Sequence, residues 1–442
     1  MPAQSVIVLF DVGKTNKKVF LLDEQYKIVW EQSQSLPETT DEEGELCEDV
    51  EKLTNWVQRI YAHVLALRDF AIRAVNFSAY GASFVHIGKN GKAVAPLYNY
   101  LKPYPEELKH RFYNSYGGEV TFSMLTASPV LGSLNSGMQL YRIKEERPAL
   151  YEKIHCSLHL PQYLSFLLTG QQYSDITSIG CHTNLWNFSQ DHYHEWVYRE
   201  GIIDKLAPIR GAEEVVPLAS SARKGSPATA SMVSGIGLHD SSAAMIPYLE
   251  SFQEPFVLIS TGTWCISMNP FNHVPLTVAE LQQDCLCYIS YRGRPVKASR
   301  LFAGHDHEQG VKKLAAQFHK DPPYATTVTY DPDIVSLIHG QEEKEDKHFE
   351  QAYHRLIMGI MSRQAASTQL VLQGTNVKRI FVDGGFARNQ VYMHLLAAAF
   401  PHMEIFAASI PQATAIGAAM AIHSHWNTRQ MPGDIIDLKF YK

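Results

Sequence analysis

Ser5-Val-Ile-Val-Leu-Phe-Asp11-Val-Gly13-Lys14-Thr15-Asn16-Lys-Lys18-Val-Phe-Leu-Leu-Asp23 is the stretch whose reading decides the fold. Its first apolar run is rich in β-branched residues and ends at a carboxylate. Its second alternates apolar and polar, so the two read as a β-hairpin around a short polar loop. Gly13 tolerates positive φ, Thr15 and Asn16 add hydroxyl and amide donors, and such a loop can aim several N–H groups at an anion. An acid at the strand end beside that cradle suits a Mg²⁺ held through water. An ordinary hairpin tip has the same composition, so the segment needs support from elsewhere in the chain. Gly13-Lys14-Thr15 also imitates the end of a Walker A loop. That loop requires another Gly where Val8 stands and must open a helix, whereas a strand follows here.

The support comes from a second loop of the same kind. Phe256-Val-Leu-Ile-Ser260-Thr261-Gly262-Thr263-Trp264-Cys265-Ile-Ser-Met again sets Gly and hydroxyl residues between two apolar runs. Two strand–loop–strand units, each early in its own half of the chain, point to a duplicated fold that closes on a nucleotide from both sides. The pair is far more specific than either loop alone.

With 442 residues, 45% of them hydrophobic, the chain can bury large cores in two or three domains. A net charge of -6 and a pI near 6.4 give no general electrostatic reason to bind nucleic acid. The start is a short polar lead into a strand, not a signal peptide, and no apolar run reaches the roughly 18 residues of a membrane span. A soluble cytoplasmic protein with no membrane partner is expected. The six cysteines are scattered. Cys285-Leu-Cys287, His305-Asp-His307 and His192-Tyr-His194 lack completing ligands nearby, so reduced core thiols and surface or loop histidines are expected in place of a zinc site.

Along the chain, Val50 to Leu67 has helical periodicity and Ala71 to Ser78 is a buried strand. That strand breaks at Tyr80-Gly81-Ala82-Ser83, before a hairpin turning at Asn90-Gly91. The mixture of polar and aromatic residues at the break, continued from Pro96 to Tyr104, suits a sugar site. Ser136 to Thr169 reads as mostly helical and stops at Gly170, Asp175 begins a loop to Trp186, and Ser220 to Ser231 is linker-like. Val233-Ser-Gly235-Ile-Gly237-Leu-His239-Asp240-Ser241-Ser242 brings a glycine-rich segment to an acid that enters a helix, a position that an N-cap residue would also fill. Pro247 to Pro255 is the expected boundary between the halves. Further on, Gln351 to Leu372 is a long helix. The strand from Arg379 feeds Asp383-Gly384-Gly385, where backbone can approach an adenosine closely, then Asn389 and the helix Val391 to Phe400.

These pieces, in this order, resemble the FGGY carbohydrate kinases of the actin and sugar-kinase superfold. The resemblance runs over nearly the whole chain. It rests on the Asp11 to Lys18 loop, Tyr163-Leu…Leu168-Thr169-Gly170, His239-Asp240, Ser260 to Trp264, Asp383-Gly384-Gly385 and Ala413-Thr414-Ala415-Ile416-Gly417. Within the family, His-Asp-Ser, Ser-Thr-Gly-Thr-Trp and Tyr80-Gly81 look most like the rhamnulokinase and fuculokinase subgroup. The resemblance implies an α/β fold of two actin-like (ribonuclease H-like) domains, 1–246 and 254–442, each a mixed sheet flanked by helices, with the sugar and nucleotide in the cleft between them. It implies ATP and Mg²⁺ and phosphorylation of a ketose of the L-rhamnulose, L-fuculose and L-xylulose class, by a monomer or homodimer. Asp240 would be the general base; Tyr80, Gly81, His239, Asp240 and Ser241 would touch the sugar. Gly13, Lys14, Thr15, Asn16, Lys18, Gly262, Thr263, Gly384, Gly385 and Asn389 would line the nucleotide site, with Asp11 near the metal. The family usually has a small residue where Lys14 stands and, in this subgroup, an acid where Ser83 stands, and the chain is short for the family. A non-transferring ATPase of the same superfold and a sugar-sensing pseudokinase are the competing readings.

Overall fold

The computed structural model describes residues 3–223, 232–339 and 346–442. Two mixed seven-stranded sheets organise it. In the first the spatial order is Val215–Pro217, Val233–Gly235, Phe70–Ala79, Gln4–Val12, Lys17–Asp23 and Ile28–Gln34, with Leu238–His239 also paired to Phe70–Ala79. In the second it is Cys285–Ile289, Pro295–Leu301, Cys265–Asn269, Phe256–Thr261, Arg379–Gly384, Glu404–Ser409 and Asp437–Tyr441. Each sheet contains a hairpin whose first strand runs parallel to a neighbour from much later in the sequence: Gln4–Val12 beside Phe70–Ala79, and Phe256–Thr261 beside Arg379–Gly384.

Alternation along the strands assigns the layers, because successive side chains face opposite sides of a sheet. Val6, Val8 and Phe10 pack outward under the helix Val50–Leu65, which buries Leu53, Trp56, Val57, Ile60 and Val64 on one face. Ile7 and Leu9 face the other way, into a core that continues to Leu258, Met268 and Phe381 of the second sheet. Outside the second sheet, Val257 and Ile259 pack under the long helix Phe349–Leu372 and the helix Gln390–Ala399.

Two helices fill the space between the sheets. Asp240–Ser251 leaves the first sheet and sends Tyr248 to Phe256 and Phe381 of the second; Ala413–Ala421 leaves the second sheet and packs on the strands Gln4–Val12 and Phe70–Ala79 of the first. They cross where a Cβ on Gly417 would lie 1.8 Å from the Ala243 carbonyl oxygen, so only glycine permits the approach. Asn76 Nδ2 in the first sheet donates to the Ala418 carbonyl at 2.8 Å and fastens the second helix at the crossing.

Several sequence expectations need correction. Ser136 to Thr169 is mostly helical as expected, but it is interrupted by the strand Cys156–His159, which pairs antiparallel with Phe84–Ile87. The segment after Asp175 begins as a short helix, Ile176–Ile179, which the Asp175 carboxylate caps by accepting from Thr177 N–H at 2.9 Å. The helix Asp240–Ser251 runs through Pro247, which leaves only 252–255 as connection. In the expected linker, Ser220–Arg223 form a 3-10 turn, and residues 224–231 lie outside the described residues. All six cysteines are buried and free. His305 and His307 sit at the start of the helix Ala303–Gln317, and His194 is buried. No helix among the described residues is long and apolar enough to cross a membrane.

If the helix crossing controls stability, Gly417→Ala should lose about 2–3 kcal/mol in urea unfolding, the scale of overpacking a core. Gly359→Ala is the matched control: it lies inside Phe349–Leu372 with open space where its Cβ would go. There the change should be neutral or should stabilise by up to about 1 kcal/mol. Equal losses at the two positions would show that the crossing distance is not what matters.

Candidate active site

Three parallel strands of the first sheet end at one edge. Val12 pairs with Ala79, and His239 pairs with Ala79 from the other side. The register therefore delivers Asp11 and its loop, Tyr80-Gly81 and Asp240 to one place, at the carboxyl ends of the strands where α/β sheets bind ligands. Gly81 approaches the His239 ring so closely that a Cβ would meet Cδ2 at 2.6 Å. Asp240 opens its helix in the first helical turn, with His239 in the flanking capping position, so the carboxylate is not spent as an N-cap.

The first loop is held from beneath. Gly13 N–H donates to the Asn16 carbonyl at 3.0 Å, closing a tight turn. The Gly13 and Lys14 carbonyls accept from the buried Lys17 ammonium at 3.0 and 2.9 Å. With its carbonyls turned inward, the loop leaves the N–H groups of Lys14, Thr15 and Asn16 without a protein acceptor among the described residues, as an anion cradle requires. The Lys14 ammonium pairs with Glu38 at 2.7 Å, and the Lys18 ammonium donates to Gln412 at 3.1 Å across the cleft.

The second loop shows the same device. A Cβ on Gly304 would lie 1.8 Å from the Gly262 carbonyl oxygen, and the Thr263 carbonyl accepts from His305 N–H at 3.1 Å. Gly262 and Thr263 are left exposed. Thr261 stitches this loop to the Asp383-Gly384-Gly385 turn: its carbonyl accepts from Gly385 N–H at 3.0 Å, and its hydroxyl donates to the Asp383 carbonyl at 2.6 Å. Gly384 has φ +91°, and a Cβ there would lie 2.0 Å from the Thr261 carbonyl oxygen, whereas Gly385 faces open space. Beside them is a cavity of about 590 Å³, whose lining includes Gly262, Gly385, Asn389, Tyr353 and His307. Asn389 is oriented there by donating to the Tyr353 hydroxyl at 2.8 Å.

Between the loops the electrostatics are strained. Burial pushes the Asp11 carboxyl up to about 6; the hydrogen bond from the Thr414 hydroxyl, 2.9 Å, pulls the other way, the Asp240 carboxylate raises it further and Lys18 lowers it. A desolvated acid beside a second acid is a setting that a divalent cation would relieve. Among the described residues no three His, Cys, Asp or Glu side chains form a ready-made cage, so a Mg²⁺ on Asp11 would take its other ligands from water and phosphate oxygens. Burial lowers the His239 pKa, against the pull of Asp240. Its Nε2 is 3.2 Å from Asp240 Oδ1, which we assign as an Nε2–H donor, and Ser241 N–H donates to the same oxygen at 2.6 Å. Asp240 Oδ2 then has no protein partner among the described residues.

Sequence reading missed several of these groups. Lys17 and Glu48 are buried charges from separate segments, the cavity wall 325–329 has no motif, and Tyr353 lies in the middle of a helix. Tyr80 is nearly buried, with its hydroxyl on Glu48 at 2.8 Å. Ser83, where the subgroup has an acid, is buried and donates to the Tyr98 carbonyl at 3.0 Å.

Comparison with known proteins bears on the family and the fold. Residues 6–246 match the N-terminal domain of the FGGY family of carbohydrate kinases, and 253–336 and 302–424 match two models of the FGGY C-terminal domain. An L-fuculokinase from Salmonella typhi is 25% identical over 60% of this chain, and the match spans 56% of that protein's length. A probable L-xylulose kinase from Haemophilus influenzae is 23% identical over 93% of this chain and 88% of its own. The crystal structure of a carbohydrate kinase from Novosphingobium aromaticivorans superposes with a TM-score of 0.82 at 22% identity, covering 99% of this chain and 94% of that one. The two-domain actin-like fold is therefore the fold of this chain.

The raised Asp11 pKa has a measurable consequence. An acid whose folded pKa lies above its unfolded value destabilises the fold at pH above the folded pKa, and the penalty fades as pH falls toward the unfolded value near 3.8. Asp11→Asn should therefore raise Tm at pH 7.5 in the absence of ligands, and the gain should shrink between about pH 6 and pH 4. A gain that does not vary with pH would show that Asp11 is not desolvated.

Proposed function

The chain belongs to the FGGY family of carbohydrate kinases, and from that premise we propose that it transfers the γ-phosphate of ATP to a hydroxyl of a ketose in the L-rhamnulose, L-fuculose and L-xylulose class. The observation that carries the reading is the position of Asp240: its charge acts on the Asp11 carboxyl at the shared strand ends, beside the Gly13 to Asn16 loop, and the His239 ring, with Gly81 packed on it, lies 3.2 Å from its Oδ1. The names of the L-fuculokinase and L-xylulose kinase relatives support the sugar class.

Phosphoryl transfer asks mainly for positioning and charge stabilisation. The Gly13 to Asn16 loop would hold phosphate oxygens through its outward N–H groups, with Gly262 and Thr263 opposite. Gly385 and Asn389 would lie along the adenosine. Lys14 is committed to Glu38, and it reaches phosphate only by leaving that partner. Asp240 holds Oδ1 on Ser241 and His239 and presents Oδ2 to the sugar hydroxyl, whose proton it takes as the oxygen attacks the γ-phosphorus. Gly81 keeps the His239 ring in place by having no side chain to displace it. Mg²⁺ on Asp11 would neutralise phosphate charge when bound.

The direct test is sugar-dependent ADP release across L-rhamnulose, L-fuculose, L- and D-xylulose, L- and D-ribulose and glycerol. ATP hydrolysis indifferent to every sugar would favour a non-transferring ATPase, and sugar binding without ADP release a pseudokinase. Asp240→Asn should bind nucleotide normally and lose turnover by about two to four orders of magnitude, the usual worth of a general base. Near-normal turnover in that variant would remove Asp240 from the mechanism. Because Gly385 faces open space, Gly385→Val should leave Tm unchanged while raising KM for ATP far more than KM for sugar. A change confined to the sugar would overturn the nucleotide assignment.

A further inference from the structure

Lys17 and Glu48 form an ion pair that the chemistry does not touch. Lys17 Nζ and Glu48 Oε2 are 3.0 Å apart, and the two residues are 1% and 5% exposed. Charges taken this far out of water are costly unless every remaining donor and lone pair finds a partner. Here all three Lys17 donors and both Glu48 oxygens have partners, and the partners are informative. Lys17 Nζ also donates to the carbonyls of Gly13 and Lys14, at 3.0 and 2.9 Å, and so grips the phosphate loop. Glu48 Oε1 accepts from the Tyr80 hydroxyl at 2.8 Å, and so grips the segment that faces the sugar. Tyr80 precedes Gly81, which lies against the His239 ring.

A continuous polar chain therefore runs from the loop carbonyls through Lys17, Glu48 and Tyr80 to Gly81, assembled from three separate segments of sequence. Tyr80 is 8% exposed, so its hydroxyl has no ready water to replace Glu48. If the loop shifts, the ammonium must follow its carbonyls or leave a buried charge underpaired, and the carboxylate must follow the ammonium.

Building on the nucleotide-loop assignment above, we propose that Lys17, Glu48 and Tyr80 are positioning residues that couple the two substrate sites. Occupancy of the phosphate loop sets the geometry of the Tyr80-Gly81 segment against His239. By thermodynamic reciprocity, a bound sugar changes the hold on nucleotide by the same factor as nucleotide changes the hold on sugar. None of the three side chains touches a reacting atom.

The test needs no knowledge of the sugar. Hydrogen exchange is measured with and without Mg²⁺ and the non-hydrolysable ATP analogue AMPPNP, in peptides covering 13–18 and 78–84. In the parent protein the analogue should slow exchange in both, by about threefold or more in 78–84. Tyr80→Phe removes one hydroxyl and leaves Glu48 paired with Lys17. It should keep AMPPNP affinity within about threefold and keep the slowing at 13–18, but lose it at 78–84. A merely structural role for the hydroxyl would change exchange at 78–84 equally with and without nucleotide, and the nucleotide-induced difference would survive. The double change Lys17→Met with Glu48→Met, which leaves neither charge buried alone, should abolish transmission from the other end. Undiminished slowing at 78–84 in Tyr80→Phe, or slowing confined to 13–18 in the parent, would overturn the coupling alone. Failure of AMPPNP to bind the parent would overturn the nucleotide assignment and the coupling together.

Discussion

The approach of the two crossing helices at Gly417 and Ala243 is the constraint on which the rest of the structure depends. Each helix belongs by sequence to one sheet and by packing to the other, so the core between the sheets is shared and neither half completes its interior alone. The small residues of Ala413–Ala421 follow from this: a longer side chain at the crossing would separate the helices and move the strand ends they support. Asp240 is the first residue of one helix, and Thr414, which holds Asp11, is in the first turn of the other. Strand register brings the two acids together, and the crossing places Thr414 where it can hold one of them.

Both phosphate-type loops solve one problem by different means. A peptide loop binds an anion only if its N–H groups face outward, and its carbonyls must then be satisfied on the inner side. In the first loop a buried ammonium accepts that task, and in the second the start of a helix does so through His305 N–H. The first solution brings a charge into the interior, which demands Glu48 and ties the loop to the Tyr80 segment; the second buries no charge and is tied through Thr261 to the Asp383-Gly384-Gly385 turn. Two loops that look alike in sequence are therefore tied to different segments.

The acids in the cleft show the opposite economy. Asp11 is desolvated near Asp240 with one hydroxyl donor for relief, a poor arrangement for stability and a good one for receiving a cation and a polyphosphate. Asp383 of the second sheet is raised by burial as well, but it is tied down, accepting from the Tyr248 hydroxyl at 3.1 Å and from Gly384 N–H at 2.7 Å. Three acids at strand ends are thus distinguished by their partners.

Local sequence determined the two hairpins, because β-branched alternation around a Gly-containing loop has few other solutions, and it determined the order of motifs that marks the family. It determined the identity of the acids and glycines at strand ends as well, since those residue types announce chemistry or close approach wherever they fall. Only the tertiary structure decided how the site is assembled. Parallel register brought Val12, Ala79 and His239 to one edge, although they lie far apart in sequence. Lys14 could have faced phosphate or a surface acid, and the position of Glu38 sends it to the acid. Lys17 and Glu48 gave no local signal, because a lysine in a strand and a glutamate in an acidic stretch read as solvated. What buries them together is the meeting of three segments, and that depends on long-range packing, which no window of neighbouring residues contains.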